Sequence, residues 1–458
     1  MNSSLPRPML FFFLVIFNLD PKSRPPLLFP SDEALNPAVE IEKAKTKPKK
    51  IPTSWGGSNL TQEVKKINGL DITTYTLGGG AWIQHRKVKL SSSQIEIIGE
   101  DAVSGHLKGF VKVEDPENKI TFTAEKGEYD KFNEIVTLSG RPTLLYYNQN
   151  NKLTKITAPY IKRYLQENKT VLEGGLIMQD EDYTILAEAA IFYDKENSLV
   201  MEDSPFIFGK ELFLSGEKVT YKNDEKLTIL ESDTIFAKLS YEAPKKKEAD
   251  KEKEFLEEED NKPERRLTFI TGNEIKSFTG KSQDESYVGV FGDAKIYRVD
   301  SEFKGSYLKA SGKDYKNLES KEYVEFLDKE NNIKITGKLF EHDDSKNYTH
   351  VSEEPKVIFL DKEGNETSNM KTIELERFGE LKEIVARGNI KIESEDSIIR
   401  GEYATYYEEQ KKMIVEGNPN LEREGTIVRS GKIILYPEEN RAILAEGLGI
   451  KDSTDKKK

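Results

Sequence analysis

The sequence contains no cysteine and only four histidines. The absence of cysteine excludes disulfide bonds, thiolate metal sites and cysteine nucleophiles. The histidines are His85, His106, His342 and His350, and no two of them have a spacing typical of metal ligands on one element. We therefore interpret them as packing or solvated side chains, and we predict neither a metal site nor a cofactor.

Signatures of common catalytic and nucleotide-binding sites are also absent. There is no P-loop, no GxSxG nucleophile motif, no HExxH zinc motif, no EF-hand loop and no dinucleotide-binding glycine motif. The glycines at 78–80 are not followed by a helical pattern, so we predict a turn there. Without a converging set of catalytic side chains, the sequence predicts a protein that is not an enzyme.

The sequence also lacks an excess of basic residues. Its 69 lysines and arginines are outnumbered by 81 aspartates and glutamates, which gives a net charge of −12. This balance argues against a general nucleic-acid-binding protein. Apolar residues make up 36% and charged residues 33% of the chain, which favours an extended molecule with much surface over a compact enzyme.

The first 82 residues differ in composition from the rest. Residues 1–20 contain Arg7 and then an apolar run at 9–17, which is shorter than the roughly 20 residues that span a bilayer. A run of this length is typical of a signal peptide, so we predict export; cleavage and retention as a membrane anchor both stay open, and a buried strand is the alternative. Residues 21–82, rich in proline and lysine at their start, are predicted to be an extended linker and entry segment.

From residue 83 the chain shows short alternating runs separated by turn residues, and a degenerate repeat. The copies fall into two groups, three in the first and two near the C-terminus, and within a group a small residue recurs every 28 or 29 residues. A tyrosine lies six residues after each small residue. A glutamate that ends an apolar run lies nine or ten residues after each tyrosine. The small residues are Ala158, Ala187, Ser215, Gly401 and Ser430; the tyrosines are Tyr164, Tyr193, Tyr221, Tyr407 and Tyr436; the glutamates are Glu173, Glu202, Glu231, Glu416 and Glu446.

A repeat of this length cannot bury its own apolar face, so neighbouring units must stack. The sequence therefore predicts an all-β protein of stacked antiparallel strands in two tandem repeat blocks, at 83–242 and 267–450. Between them, the mixed-charge stretch 243–266 is predicted to be a linker or loop, and 451–458 a polar tail. Because the glutamates recur at equivalent positions, we interpret them as turn residues rather than catalytic ones.

Strand alternation predicts that the residue just before each repeated glutamate and the residue two positions before that one face inward; in the last copy these are Ala445 and Ile443. The inward residues near the repeated glutamates, together with two from the preceding strand, are the candidates for the lining of an apolar interior: Leu172, Ile185, Ile191, Leu199, Met201, Leu230, Met413 and Val415. If the sheets close tightly, these residues form only a core. If the sheets splay, they line a groove suited to acyl chains.

Residues 123–130, 185–194 and 397–407 resemble the OstA-like, or LptA-type, repeat of lipopolysaccharide transport proteins. The resemblance implies a β-jellyroll or folded-sheet "taco" in the periplasm of diderm bacteria. It also implies that lipopolysaccharide acyl chains bind in the groove. Open sheet edges would then join other Lpt-type components, or copies of the same chain, into a bridge between inner and outer membranes.

We therefore expect a periplasmic protein that binds lipopolysaccharide or a similar glycolipid and contributes to outer-membrane assembly. A second block distinguishes the chain from the small LptA-type and inner-membrane-anchored LptC-type members, so its place in such a bridge stays open. The alternative is a structural or adhesive β-solenoid, or an envelope assembly scaffold, with a closed and dry core.

Overall fold

A computed structural model of the chain describes residues 53–99, 101–147, 153–179, 183–242, 264–439 and 441–452. The predicted signal peptide or anchor at 1–20, the linker up to residue 52, most of the charged stretch (243–263) and residues 453–458 lie outside this range. The described residues form one compact unit, except for Lys66–Leu70, which belong to a second one. Within the described residues, no helix is long and apolar enough to cross a membrane.

The all-β prediction is confirmed. The first part of the chain forms β1 (Thr53–Gly56), β2 (Asn59–Ile67), β3 (Leu70–His85), β4 (Val88–Ile98), β5 (Ser104–Asp115), β6 (Ile120–Asp130), β7 (Ile135–Ser139), β8 (Thr143–Tyr147), β9 (Leu153–Thr157), β10 (Tyr160–Tyr164), β11 (Lys169–Gln179), β12 (Thr184–Tyr193), β13 (Ser198–Glu202), β14 (Phe206–Phe208), β15 (Leu212–Ser215), β16 (Lys218–Lys222) and β17 (Leu227–Glu242).

The second part forms β18 (Glu264–Phe278), β19 (Tyr287–Tyr297), β20 (Ser301–Ser311), β21 (Asn317–Ser320), β22 (Val324–Asp328), β23 (Ile333–Asp343), β24 (Tyr348–Leu360), β25 (Glu366–Lys371), β26 (Glu374–Phe378), β27 (Glu383–Ser394), β28 (Ser397–Tyr407), β29 (Lys412–Glu416), β30 (Asn420–Arg423), β31 (Thr426–Tyr436) and β32 (Arg441–Asp452). Short 3₁₀ turns lie at Gln283–Glu285, Lys313–Tyr315 and Pro437–Glu439.

The strands form one antiparallel sheet in which successive passes of the chain pair with each other. Each pass, which we call a rung, bends near its middle, and the bend shifts the register of the pairing, as between Glu173 and Leu176 in β11. Some rungs bend within one strand, as β11 does. Others are divided into two shorter strands, as β7 and β8 are.

The bends line up to form a corner along the sheet. In many rungs the corner holds two successive residues with positive φ, including Gly174 with Gly175 and Gly417 with Asn418. Glycine and asparagine tolerate this left-handed conformation better than other residues do. The first four repeated glutamates, such as Glu173 and Glu416, come just before these pairs, and Glu446 is the first residue of its own pair. The glutamates therefore mark a bend within a rung rather than a turn between rungs.

The corner divides the sheet into two half-sheets that face each other. The first half-sheet contains β7, β10, β13, β16, β21, β26 and β29, and the second contains β8, β9, β14, β15, β22, β25 and β30, with the longer strands contributing to both. Inward side chains of the two halves are in contact: Phe303 of the second lies 6.0 Å from Phe340 of the first, measured between ring centroids. A continuous hydrophobic core fills the space between them.

The structure changes two predicted boundaries. The predicted linker and entry segment, residues 21–82, includes β1, β2 and much of β3, and the glycines at 78–80 form the bend within β3. The predicted charged linker ends earlier than expected, because β18 begins at Glu264. β17 pairs with β18 from Leu227–Phe278 to Glu242–Glu264, so the sheet continues from the first predicted block into the second.

Candidate functional site

Opposite the corner, the free margins of the two half-sheets face each other across an opening that we call the mouth. Turns such as residues 131–134 form the rim of the first half-sheet, and turns such as residues 116–119 form the rim of the second. Any ligand that enters the interior from the side must pass between these rims. The side chains that join or separate them therefore decide where the interior is accessible.

Near the first rungs, a buried histidine joins the rims. His85 of the second half-sheet is fully buried, with Nδ1 2.7 Å from the Tyr129 hydroxyl and Nε2 3.1 Å from Glu134 Oε2 of the first. Burial lowers the pKa of His85, although the Glu134 carboxylate opposes this shift. Burial also raises the pKa of Tyr129 to about 12. We call His85, Tyr129 and Glu134 the first latch.

The second latch is an arginine held between two carboxylates. Arg163 of β10 is 1% exposed, and its Nη2 donates a 2.6 Å hydrogen bond to Asp115 Oδ2 across the mouth. Its Nη1 donates to Asp194 Oδ1 at 2.8 Å and to the Thr170 hydroxyl at 3.2 Å. Removing one partner from such a buried group leaves an uncompensated charge and costs about 3–5 kcal/mol.

The third latch is centred on Asp344, at the rim of the first half-sheet. Arg266 Nη1 donates a 2.7 Å hydrogen bond to Asp344 Oδ2, and Arg298 Nη1 lies 3.4 Å from Asp344 Oδ1. Burial by itself would raise the pKa of Asp344. The His342 ring, whose Nε2 lies 3.8 Å from Asp344 Oδ1, and the charges of Arg298 and Arg266 outweigh burial and lower its pKa well below its usual range. The carboxylate is therefore charged at neutral pH.

The fourth latch repeats the arrangement of the second. Arg377 of β26 is buried, and it is hydrogen-bonded through Nη2 to Asp328 on the opposite rim. Its Nε donates a 2.7 Å hydrogen bond to Glu408 Oε1. Two arginines with equivalent positions and equivalent acidic partners, one near each end of the sheet, indicate that closure of the mouth is a built feature of the fold.

Between the second latch and Lys238 lies a cavity of about 510 Å³, and its floor is formed by Met178, Ile185, Ile207 and Leu214. These side chains are 3–8% exposed. Among the described residues, no ion pair joins the two rims along this interval, and at its start the Tyr146 hydroxyl donates a 3.4 Å hydrogen bond to Asn197 Oδ1 across the mouth. Apolar inward side chains therefore border a cavity at this place.

One end of the cavity is closed by residues 312–316, which we call the strap. The strap leaves the first half-sheet between β20 and β21 and reaches the second, where Asp314 Oδ1 lies 3.4 Å from Lys238 Nζ and Arg298 Nη2 donates a 2.9 Å hydrogen bond to the Tyr315 carbonyl. The Tyr315 ring lies 5.5 Å from the buried Phe236 ring, in an edge-to-face arrangement. Asp314 and Tyr315 both have positive φ, which is a strained conformation for residues other than glycine.

A second cavity, of about 860 Å³, lies on the other side of the strap. Its lining is polar and includes Arg266, Asp328, His342, Asp344 and Arg377, which belong to or adjoin the third and fourth latches. Asp314 borders both cavities. The strap therefore separates an apolar opening from a polar one. In the described part of the chain, no group of histidines and carboxylates is arranged to hold a metal ion.

The structure places the predicted lining residues in three environments. Leu172, Met201, Leu230, Met413 and Val415 are all 0% exposed, and Leu199 is 3% exposed, so these six face inward as predicted but lie in a closed core. Ile185 borders the apolar cavity. Ile191 lies on the outer face, because Ala190 and Phe192 on either side of it are the buried residues of β12. Its predicted inward position is therefore wrong.

Sequence reasoning missed the latches, although each follows a simple pattern. A charged residue or histidine stands two positions after a buried apolar residue, where alternation requires another inward side chain. The pairs are Ile83 and His85, Val113 and Asp115, Ile161 and Arg163, Ile296 and Arg298, Phe326 and Asp328, and Leu375 and Arg377. A polar residue at an inward position near a strand end was the signal that could have identified them.

Comparison with known proteins gives only distant structural likenesses. No family model matches the sequence, and no curated protein matches it. Among solved structures, the chain is similar to LptH from Pseudomonas aeruginosa, described as the LptA-homologous periplasmic component of the lipopolysaccharide transport device. The identity is 17%, the TM-score is 0.22, and the match covers 24% of this chain and 79% of LptH. A likeness at this level does not place the chain in a family.

Proposed function

We propose that this chain is a non-enzymatic carrier for the acyl chains of envelope lipids. The observation that supports the proposal is the apolar floor beneath the open interval of the mouth, where Ile185, Ile207 and Leu214 border the cavity of about 510 Å³. Small-molecule sites typically have volumes of about 300–1,000 Å³ and predominantly apolar linings. Each methylene moved from water into such a site contributes about 0.8 kcal/mol.

The more specific proposal is transport of lipopolysaccharide or a related glycolipid through the periplasm, with export directed by the N-terminal apolar segment. The edges of the sheet support a role in an assembly. β32 pairs with β31 on one side, and β1 pairs with β3 on one side; no described strand covers their other edges. Such edges present free backbone donors and acceptors that can pair with a strand of another bridge component or of a second copy.

The alternative is a structural or assembly scaffold that binds no lipid. The observation that favours it is the complete burial of inward residues such as Leu172, Met201 and Val415, which shows a packed interior at these rungs. A scaffold of this kind needs only a stable stack and exposed edges. It predicts that the cavity at the mouth holds only water.

The two functions are distinguished by the lipid content of the native protein. The full chain is purified from its own cell envelope in a mild, non-lipid detergent and extracted with organic solvent, and the extract is analysed by mass spectrometry. A carrier retains acyl lipid in stoichiometric amounts, whereas an envelope protein of similar size purified in parallel retains only traces. Absence of enrichment over that control would reject the carrier and favour the scaffold.

A further inference from the structure

The open interval of the mouth coincides with an unusual hairpin. β14 and β15, joined by residues 209–211, are apolar on both faces: Ile207 and Leu214 line the cavity, while Phe206, Phe208 and Phe213 form an aromatic cluster on the outer face. Phe206 and Phe208 are 43% and 42% exposed. In an antiparallel sheet with one buried face, the outer face is normally polar. An exposed aromatic cluster of this kind marks a site of contact with lipid or another protein.

The floor of the cavity continues into the core through Phe236. This residue is 0% exposed, and Tyr315 of the strap lies against it. The strap is held on the second half-sheet by the hydrogen bond that Arg298 Nη2 donates to the Tyr315 carbonyl and by the Lys238–Asp314 ion pair, whose side chains are 19% and 21% exposed. Partly exposed ion pairs contribute little stability. Because this ion pair is less buried than those of the second and fourth latches, the strap is the closure that a ligand displaces most easily.

We propose that the interval of the mouth bordered by the β14–β15 hairpin and the strap is a lateral portal, through which a single acyl chain of a lipid enters the interior. The chain passes from the outer aromatic cluster over the rim at residues 209–211 onto Ile207 and Leu214. It then displaces Tyr315 from Phe236. The second latch joins the rims on one side of this interval, and the opening on the other side of the strap has a polar lining, so an apolar chain enters through this interval. The inference rests on the proposed carrier function and adds the route of entry.

The portal is tested with dansyl-labelled undecanoic acid, whose fluorescence rises on transfer to an apolar site. Leu214→Trp places an indole on the cavity floor, and Ile229→Trp places the same side chain on the outer face of β17, where it borders neither cavity and lies outside the aromatic cluster. Blocking a path the length of two methylenes weakens binding about tenfold. We expect Leu214→Trp to show at least this loss and Ile229→Trp to bind as the unmodified chain does.

A second pair of variants tests the strap without altering the core. Asp314→Asn removes the attachment to Lys238. Glu325→Gln removes another partly exposed ion pair, on β22, where Glu325 contacts Lys334 at 2.7 Å; these side chains are 35% and 32% exposed and border neither cavity. In stopped-flow mixing, we expect Asp314→Asn to bind the probe several-fold faster than the unmodified chain, and Glu325→Gln to bind it at the unmodified rate.

The outcomes separate the portal from the carrier function. If the unmodified chain does not bind the probe, both proposals are rejected. If it binds but Leu214→Trp retains full affinity, or if Asp314→Asn and Glu325→Gln show equal association rates, the portal is rejected and the carrier function remains. Should Leu214→Trp fail to fold, the association rates of the two strap variants decide the question alone.

Discussion

Replacing Arg163 with methionine removes the buried cation that joins Asp115 and Asp194 across the mouth. Arg163 is 1% exposed, and the side chains of the two aspartates are 4% and 2% exposed. The variant therefore leaves two carboxylates close together in a site that excludes water. Breaking a buried ion pair in this way costs about 3–5 kcal/mol. We expect Arg163→Met to lower the free energy of unfolding by that amount.

Two comparisons isolate the cause. Arg400→Met removes an arginine whose partner is Glu422 at 2.8 Å, and the two side chains are 42% and 37% exposed. An exposed pair contributes about 0–1 kcal/mol, so this variant should be nearly neutral. Adding Asp115→Asn and Asp194→Asn to Arg163→Met removes the uncompensated charges and should recover most of the lost stability.

The assay is guanidinium denaturation followed by circular dichroism, combined with hydrogen exchange resolved by mass spectrometry. Stacked repeats can unfold in parts, so exchange shows whether the loss is local to β5, β10 and β12. Equal stability losses in Arg163→Met and Arg400→Met would refute the assignment of Arg163 as a closure of the mouth. The same conclusion would follow if the triple variant were no more stable than Arg163→Met.

Two further predictions concern the third latch and the corner. Burial lowers the pKa of His342 below its ordinary value of 6.5, so below about pH 6.5 the unfolded chain binds a proton that the folded chain does not. The free energy of unfolding therefore falls as the pH drops below about 6.5, by at most about 1.4 kcal/mol per pH unit. Urea titrations at several pH values should show that the free energy of unfolding depends less on pH in His342→Gln than in the unmodified chain. Gly417 has φ +79°, and an added Cβ would lie 2.5 Å from Glu402 Cβ. Thermal denaturation should show a loss of at least about 1–2 kcal/mol in Gly417→Ala but little in Gly449→Ala, where the added atom meets nothing.

Local patterns in the sequence predicted the fold class and most of the inward face. Alternation counted back from the repeated glutamates correctly assigned Leu172, Met201, Leu230 and Val415, because each lies one residue before its glutamate and the corner follows at once. The same count is wrong for the last copy. Ala442 and Leu444 pair with the buried Leu435 and Ile433, so they face inward instead of Ile443 and Ala445.

Alternation could mark single latch residues as inward, but which of them pair across the mouth could not be predicted, since the partners are far apart in sequence. Asp115 and Arg163 are separated by 48 positions, and Asp328 and Arg377 by 49. In a chain that is one-third charged, such residues are expected at the surface. Only the register of several intervening rungs brings them together. The apolar cavity could not be predicted for the same reason, because its floor combines residues of β11, β12, β14 and β15 and its boundary is the strap.

Photo-crosslinking tests the carrier function most directly. A benzophenone amino acid is introduced at Ile185, which borders the cavity, or at Lys169, which lies on the outer face of β11, and cells are irradiated before the full chain is purified. The account predicts a lipid adduct, identified by mass spectrometry, at Ile185 and none at Lys169. No adduct at Ile185, or equal yields at the two positions, would contradict it.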